Sequence, residues 1–159
     1  MQKEDVQKQE KIVSMFDNIA PTYDTANRVM SMGVDKSWRR KACDLAYEFY
    51  AKDSIDKIVD VACGTGDMMN FWKSRSELAG IAVGEIVGVD PSVGMVDVAR
   101  NKFPKFNYHI SKATEIPLPE TSADFLSITY GIRNVVERKE ALDEFNRVLK
   151  DDGLVIILE

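Results

Sequence analysis

A short apolar run that breaks into a glycine turn constrains this chain most. Ile58, Val59 and Val61 lie in the strand-like stretch 57–62, which ends in Asp60-Val61-Ala62-Cys63-Gly64-Thr65-Gly66-Asp67 ahead of a helix-like segment. A strand, a glycine turn and a helix open a parallel α/β sheet, where ligands lie at the carboxyl ends of the strands. Gly64 and Gly66 carry no Cβ to hold a ligand off the backbone, and both tolerate positive φ. Any tight strand-to-helix connection favours glycine, so the turn alone names no ligand.

The alternation continues. A helix is expected from about Asp67 to Leu78, a strand over Glu85–Asp90, a helix from Ser92 to about Lys102, and strands at Phe106–Ile110 and Asp124–Thr129. Ala141, Leu142, Phe145, Val148 and Leu149 mark one face of a further helix, which Asp152-Gly153 is expected to close before a fifth strand, Leu154–Leu158. Strands alternating with helices imply parallel pairing through right-handed crossovers, hence an α/β fold with a Rossmann-like, doubly wound, mostly parallel sheet.

Before residue 54 the chain reads as helix. Trp38, Ala42, Leu45, Ala46 and Phe49 recur at steps of three and four, with Ser37 placed as N-cap. A short helix is expected over Tyr23–Ser31, between Pro21 and Gly33, and residues 1–13 read as a loose or fraying helix. Trp38-Arg39-Arg40-Lys41 is a local basic patch, read as a solvated helix face beside a buried Trp. The expected division is an N-terminal helical cap or lid over 1–53 and a ligand-binding core over 54–159.

At 159 residues and 45% hydrophobic the chain can bury one core. Its net charge of −5 argues against a nucleic-acid surface. Cys43 and Cys63 make neither a disulfide framework nor a metal pattern, and His109, the one histidine, has no partner at ligand spacing, so no metal is expected. Met1-Gln2-Lys3-Glu4-Asp5 is not a secretory segment, and no apolar run approaches the ~20 residues that cross a bilayer. The expectation is a reduced, cytoplasmic protein.

What the glycine turn lacks narrows its ligand. The third glycine of a dinucleotide fingerprint is replaced by Met69, which disfavours a nicotinamide-dependent oxidoreductase, and no Lys-Ser/Thr follows as a phosphate loop requires. The turn suits a ligand bearing a carboxylate and an ammonium, such as the amino-acid end of S-adenosylmethionine: Asp60 can accept from the ammonium, and turn amides favour the carboxylate. Asp90, 24 positions beyond Gly66 (90 − 66), is placed to accept ribose hydroxyls, or else caps the turn at Pro91-Ser92. Ser111-Lys112-Ala113-Thr114 would meet an adenine edge. Arg133 and Asn134, after the fourth strand, are candidate active-site groups or a plain surface turn.

These residues carry a family resemblance. Asp60–Asp67 resembles motif I of class I S-adenosylmethionine-dependent methyltransferases, and Asp90 their acidic second motif. Phe16-Asp17-Asn18-Ile19-Ala20-Pro21-Thr22-Tyr23-Asp24-Thr25-Ala26-Asn27, Trp38-Arg39, and Tyr130-Gly131-Ile132-Arg133-Asn134-Val135 together resemble the ubiquinone/menaquinone biosynthesis C-methyltransferase family, as does Arg147-Val148-Leu149-Lys150 with Gly153. The resemblance runs from about Val13 to Glu159. It implies that Asp60, Gly64, Thr65, Gly66 and Asp90 hold the cofactor, that Lys112-Ala113 lie at the adenine, and that Thr129 lies near the methionine end. Lys112 departs from the Asn or Asp usual there and cannot accept from the adenine amino group. The chain stops at the fifth strand where the family continues, so the terminal strands of the usual seven are expected to be missing and the chain to be a truncated product.

The implied reaction is methyl transfer to a ring carbon of a polyprenyl benzoquinol or demethylmenaquinol. Arg133 is expected to stabilise the phenolate, Asn134 to orient it, and Tyr23 or Asp24 to line the lid. A lipophilic quinol is the implied partner, with peripheral contact at the inner membrane face and a homodimer left open. A methyltransferase of another small molecule, or a cofactor-binding fragment without activity, are the alternatives.

Overall fold

A computed structural model describes residues 3–159. Five strands form one sheet: β1 (Ser54–Val61), β2 (Ala82–Asp90), β3 (Asn107–Ile110), β4 (Ala123–Thr129) and β5 (Leu149–Leu158). Their order is β3-β2-β1-β4-β5, and every neighbouring pair is parallel. The order reverses between β1 and β4, which puts a ligand crevice at their carboxyl ends. The expected doubly wound α/β architecture is therefore present.

Six α-helices accompany the sheet: α1 (Lys3–Ile19), α2 (Tyr23–Ser31), α3 (Val34–Tyr50), α4 (Asp67–Ala79), α5 (Val93–Lys102) and α6 (Arg138–Val148). Near-continuous apolar strands need cover on both faces, and two clusters supply it. On one face Cys43, Ala46 and Tyr47 of α3 and Met68, Met69 and Trp72 of α4 pack against Ile55, Ile58, Ile86 and Phe125. On the other, Ala141, Phe145 and Val148 of α6 pack against Val59, Val61, Leu126 and Ile128. α3 thus shares a core with α4 and the sheet, although it lies on the cap side of the boundary drawn at residue 53.

Four local readings are corrected. The helix expected from Ser37 starts at Val34, with Gly33 (φ +78°) as its N-cap. Of its expected stripe, Ala46 is buried, but Trp38, Leu45 and Phe49 face outward, at 50, 54 and 79% exposure, because the face that packs is Asp35, Arg39, Cys43, Ala46 and Tyr47. The basic patch inverts for the same reason: Trp38 is half exposed while Arg39 is buried. Finally, α6 ends at Val148 and β5 begins at once, so Asp152-Gly153 lies within the strand, beside a register irregularity between Ala123 and Phe125.

Residues 3–13 lie in one continuous helix; residues 1 and 2 of that reading fall outside the described residues. No residue of α1 is fully buried. Side-chain clips hold it instead. The Gln9 amide donates to the Asn134 carbonyl at 3.4 Å and its oxygen accepts the Val136 N–H at 3.0 Å. Asp17 accepts the Ser92 hydroxyl at 2.6 Å and the Gly94 N–H at 2.9 Å. Among the described residues, no helix is long and apolar enough to cross a membrane.

Candidate functional site

The carboxyl ends of β1 and β4 hold strained backbone. Gly64 and Gly66 turn at φ +54° and +84°, and Ala62 and Tyr130, which carry a Cβ, sit at +52° and +55°. Left-handed conformations at non-glycine residues are disfavoured and gather where a site dictates the geometry. A Cβ at Gly64 would meet nothing within 4 Å, so the space above this turn is open.

That space belongs to a cavity of about 810 Å³, its solvent mouth included. Its floor is the row of strand ends: Ala62 and Gly64 after β1, Asp90 at the end of β2, Lys112, Ala113 and Thr114 after β3, and Thr129, Tyr130 and Gly131 after β4. Its roof is α1, through Gln9, Ile12, Val13 and Phe16, with Tyr23 of α2, Met95 of α5 and the Asn134–Glu137 loop as walls. Apolar walls with a few polar groups are usual for a ligand site.

Asp90 accepts the Gly64 N–H at 2.9 Å and the Ser92 N–H at 2.8 Å. Burial pushes its carboxyl up to about 6, against the lowering effect of these two bonds. The remaining lone pairs of the carboxylate are free to accept further hydroxyls. Asp60 lies deeper. The Trp72 indole donates to Ser127 Oγ at 2.9 Å, and the Ser127 hydroxyl donates to Asp60 at 2.6 Å. Burial raises the Asp60 carboxyl to about 7, and Ser127 and the Arg39 charge oppose that rise.

Ionic contacts join the cap to the glycine turn. The Thr65 hydroxyl donates to Asp24 at 2.6 Å, and Lys102 bridges Asp24 and Asp67 at 2.6 Å each. Arg28 pairs with both Asp67 and Asp35. The N-terminal helices are thereby held against α4 and α5.

Of the residues singled out in the sequence, Tyr23, Gly64, Asp90, Lys112, Ala113, Thr129 and Asn134 come together on the cavity wall. Thr65 and Gly66 lie in the turn just behind it, and Asp24 is engaged with Thr65 rather than lining the cavity. Asp60 is off the wall, 1% exposed, and accepts the Ser127 hydroxyl on one oxygen. Arg133 stands outside the lining: its guanidinium is 62% exposed and paired with Glu159. Gln9 was not singled out, since a helix of mostly exposed residues gives no sign that it roofs a cavity, and neither were Met95 of α5 and Glu137 of the loop before α6.

Residues 4–159 match the family described as the ubiE/COQ5 methyltransferase family. Over 97% of its length the chain is 51% identical to the ubiquinone/menaquinone biosynthesis C-methyltransferase UbiE of Campylobacter jejuni, of which it covers 65%. Over 93% of its length it is 36% identical to a demethylmenaquinone methyltransferase of Chlorobaculum parvum, of which it covers 59%. The chain thus spans a little under two thirds of these relatives. Among solved structures, an S-adenosylmethionine-dependent methyltransferase of Mesorhizobium loti superposes with a TM-score of 0.58 at 19% identity, over 73% of this chain and 52% of that one. This last likeness is one of fold.

Proposed function

The chain belongs to the ubiE/COQ5 methyltransferase family, and on that premise we propose that it binds S-adenosylmethionine and methylates a ring carbon of a quinol precursor. One observation supports the cofactor most directly. Thr129 and Tyr130 line the cavity, and Thr129 Oγ1 and Tyr130 OH are buried without a hydrogen-bond partner. Buried polar groups are nearly always satisfied, so orphaned atoms on residues that line a cavity suit a polar ligand. The residues present fit the cofactor. Asp90 would take the ribose hydroxyls, Ala113 with neighbouring backbone would take the adenine, and Gly64, Thr65 and Thr129 would face the methionine end.

When bound, this cofactor supplies an electrophilic methyl group. The chain's own residues have to hold a ring carbon in line with it and favour loss of the proton from the neighbouring hydroxyl, which makes that carbon nucleophilic. Ile12, Val13, Phe16 and Met95 give the cavity the apolar wall that a lipophilic ring requires. Burial pushes the Tyr23 phenol above its ordinary value, so it stays protonated at neutral pH and acts as a donor toward a phenolate oxygen. Asn134 adds an amide on the same wall and Glu137 a carboxylate. Arg133, outside the lining and paired with Glu159, would neutralise the phenolate only after leaving that pair.

The test is methyl transfer by the chain to demethylmenaquinol and to a polyprenyl benzoquinol, read by mass spectrometry. Gain of one methyl group on a ring carbon of either quinol supports the proposal. Methylation of an unrelated phenol but of neither quinol would move the substrate to another small molecule.

A further inference from the structure

The roof of the cavity carries one polar residue in an otherwise apolar row. Gln9, Ile12, Val13 and Phe16 of α1 all line the cavity. Their spacing along the chain puts them on one face of the helix. Ile12, Val13 and Phe16 make that face apolar, and Gln9 interrupts it. A half-buried glutamine is costly unless its amide is bonded, and here both ends are. The Gln9 nitrogen donates to the Asn134 carbonyl at 3.4 Å, and its oxygen accepts the Val136 N–H at 3.0 Å.

The segment between β4 and α6 satisfies its other turns locally. The Asn134 N–H donates to the Gly131 carbonyl at 2.9 Å and the Val135 N–H to the Ile132 carbonyl at 3.2 Å. The Arg138 guanidinium donates to the Ile132 and Arg133 carbonyls at 3.1 and 2.9 Å. The Asn134 carbonyl and the Val136 N–H are left, and among the described residues Gln9 is the one partner of both. A primary amide, with a donor and an acceptor side by side, matches such a backbone pair.

Asn134, Val135 and Glu137 of this segment line the same cavity. Gln9 therefore joins the apolar roof to the wall that carries polar groups. No residue of α1 is fully buried, so the helix is held by few contacts and this clip is one of them. We propose that Gln9 is a positioning residue for methyl transfer: through the backbone of 134–136 it fixes the Asn134 amide against the quinol ring while α1 lies over the cavity. This rests on the functional reading above. Misplacing such a group by about 1 Å can cost on the order of 100-fold in rate.

The test uses the whole chain and two variants. Gln9→Met keeps the reach of the side chain and removes both bonds, whereas Gln9→Glu still accepts from the Val136 N–H. In Gln9→Met, hydrogen exchange at the Val136 amide, read by NMR, should quicken about 5- to 10-fold, the size of one lost hydrogen bond. With whichever quinol the wild type methylates, kcat should fall about 10-fold, while affinity for S-adenosylhomocysteine stays within about 3-fold. Gln9→Glu should lie between wild type and Gln9→Met in both exchange and kcat. Unchanged exchange at Val136, or unchanged kcat, overturns the assignment. So does a fall of kcat and S-adenosylhomocysteine affinity in proportion, which is what loss of the roof alone would give. If Gln9→Met does not fold, Gln9→Glu is held to the same split. Methylation of neither demethylmenaquinol nor a polyprenyl benzoquinol by wild type would instead overturn the functional reading, with exchange at Val136 still deciding whether the clip holds the loop.

Discussion

The hydroxyl of Thr65 donates to the carboxylate of Asp24 at 2.6 Å, tying the glycine turn of the core to the first turn of α2. Lys102 of α5 holds the other oxygen of Asp24, also at 2.6 Å. The turn that is to face the cofactor and the helix that helps enclose it therefore share one carboxylate. Asp24→Asn keeps the size of the side chain and removes its charge. It should lower affinity for adenosyl ligands about 3- to 10-fold, since one partly exposed charged hydrogen bond is weakened. Hydrogen exchange should quicken in α2 and stay unchanged in β1. Unchanged protection in α2 would mean that this bond does not hold the cap.

Asp90 makes cofactor binding depend on pH. Its carboxyl, raised to about 6 by burial, has to be ionised to accept two ribose hydroxyls. Affinity for S-adenosylhomocysteine should fall as pH drops through about 6 and level off above 7. Asp90→Asn should bind more weakly and lose that dependence. A wild-type affinity that is flat between pH 5 and 8 would remove Asp90 from the ribose.

Asp60 bears on stability. Its carboxyl moves from 3.8 to about 7 on folding. The folded state therefore binds the proton more tightly, and the resulting stability is complete below the unfolded value and lost as pH rises toward 7. Asp60→Asn removes this dependence and still accepts the Ser127 hydroxyl. The melting temperature of Asp60→Asn relative to wild type should therefore rise between pH 5 and pH 8. A difference independent of pH would contradict the burial of an ionisable group there.

Arg133 is exposed and paired with Glu159, away from the cavity wall. Arg133→Ala should leave S-adenosylhomocysteine affinity unchanged and lower methyl transfer to a quinol about 10-fold or more. Equal loss of binding and turnover would exclude a role confined to the substrate.

Much of the architecture was legible in the sequence because apolar runs were bounded by Gly, Pro and Asp. The helix Tyr23–Ser31 lies where Pro21 and Gly33 predict it, and the strands differ mainly at their starts. The orientation of α3 was not legible. The expected stripe of Trp38, Ala42, Leu45, Ala46 and Phe49 straddles two faces: Ala46 is buried with Cys43 and Tyr47 while Trp38, Leu45 and Phe49 are exposed, and periodicity does not say which side faces the sheet. The outward stripe lies beside β5, whose Val155 and Ile157 are also exposed. Arg39 was hidden by its residue type, since arginines are mostly at the surface. Asp35 four positions before it was the one available signal, because charges at that spacing share a helix face. α1 was obscured for a related reason: its clips through Gln9 and Asp17 are long-range and leave no periodic mark.

The central claim is that the cavity over the strand ends takes an adenosyl sulfonium cofactor. Titration of the chain with S-adenosylmethionine, S-adenosylhomocysteine and NAD in parallel tests it most directly. We expect the first two to bind at one site per chain, with Asp90→Ala abolishing both, and NAD not to bind. Tight binding of NAD, or no binding of either adenosyl ligand, would contradict it.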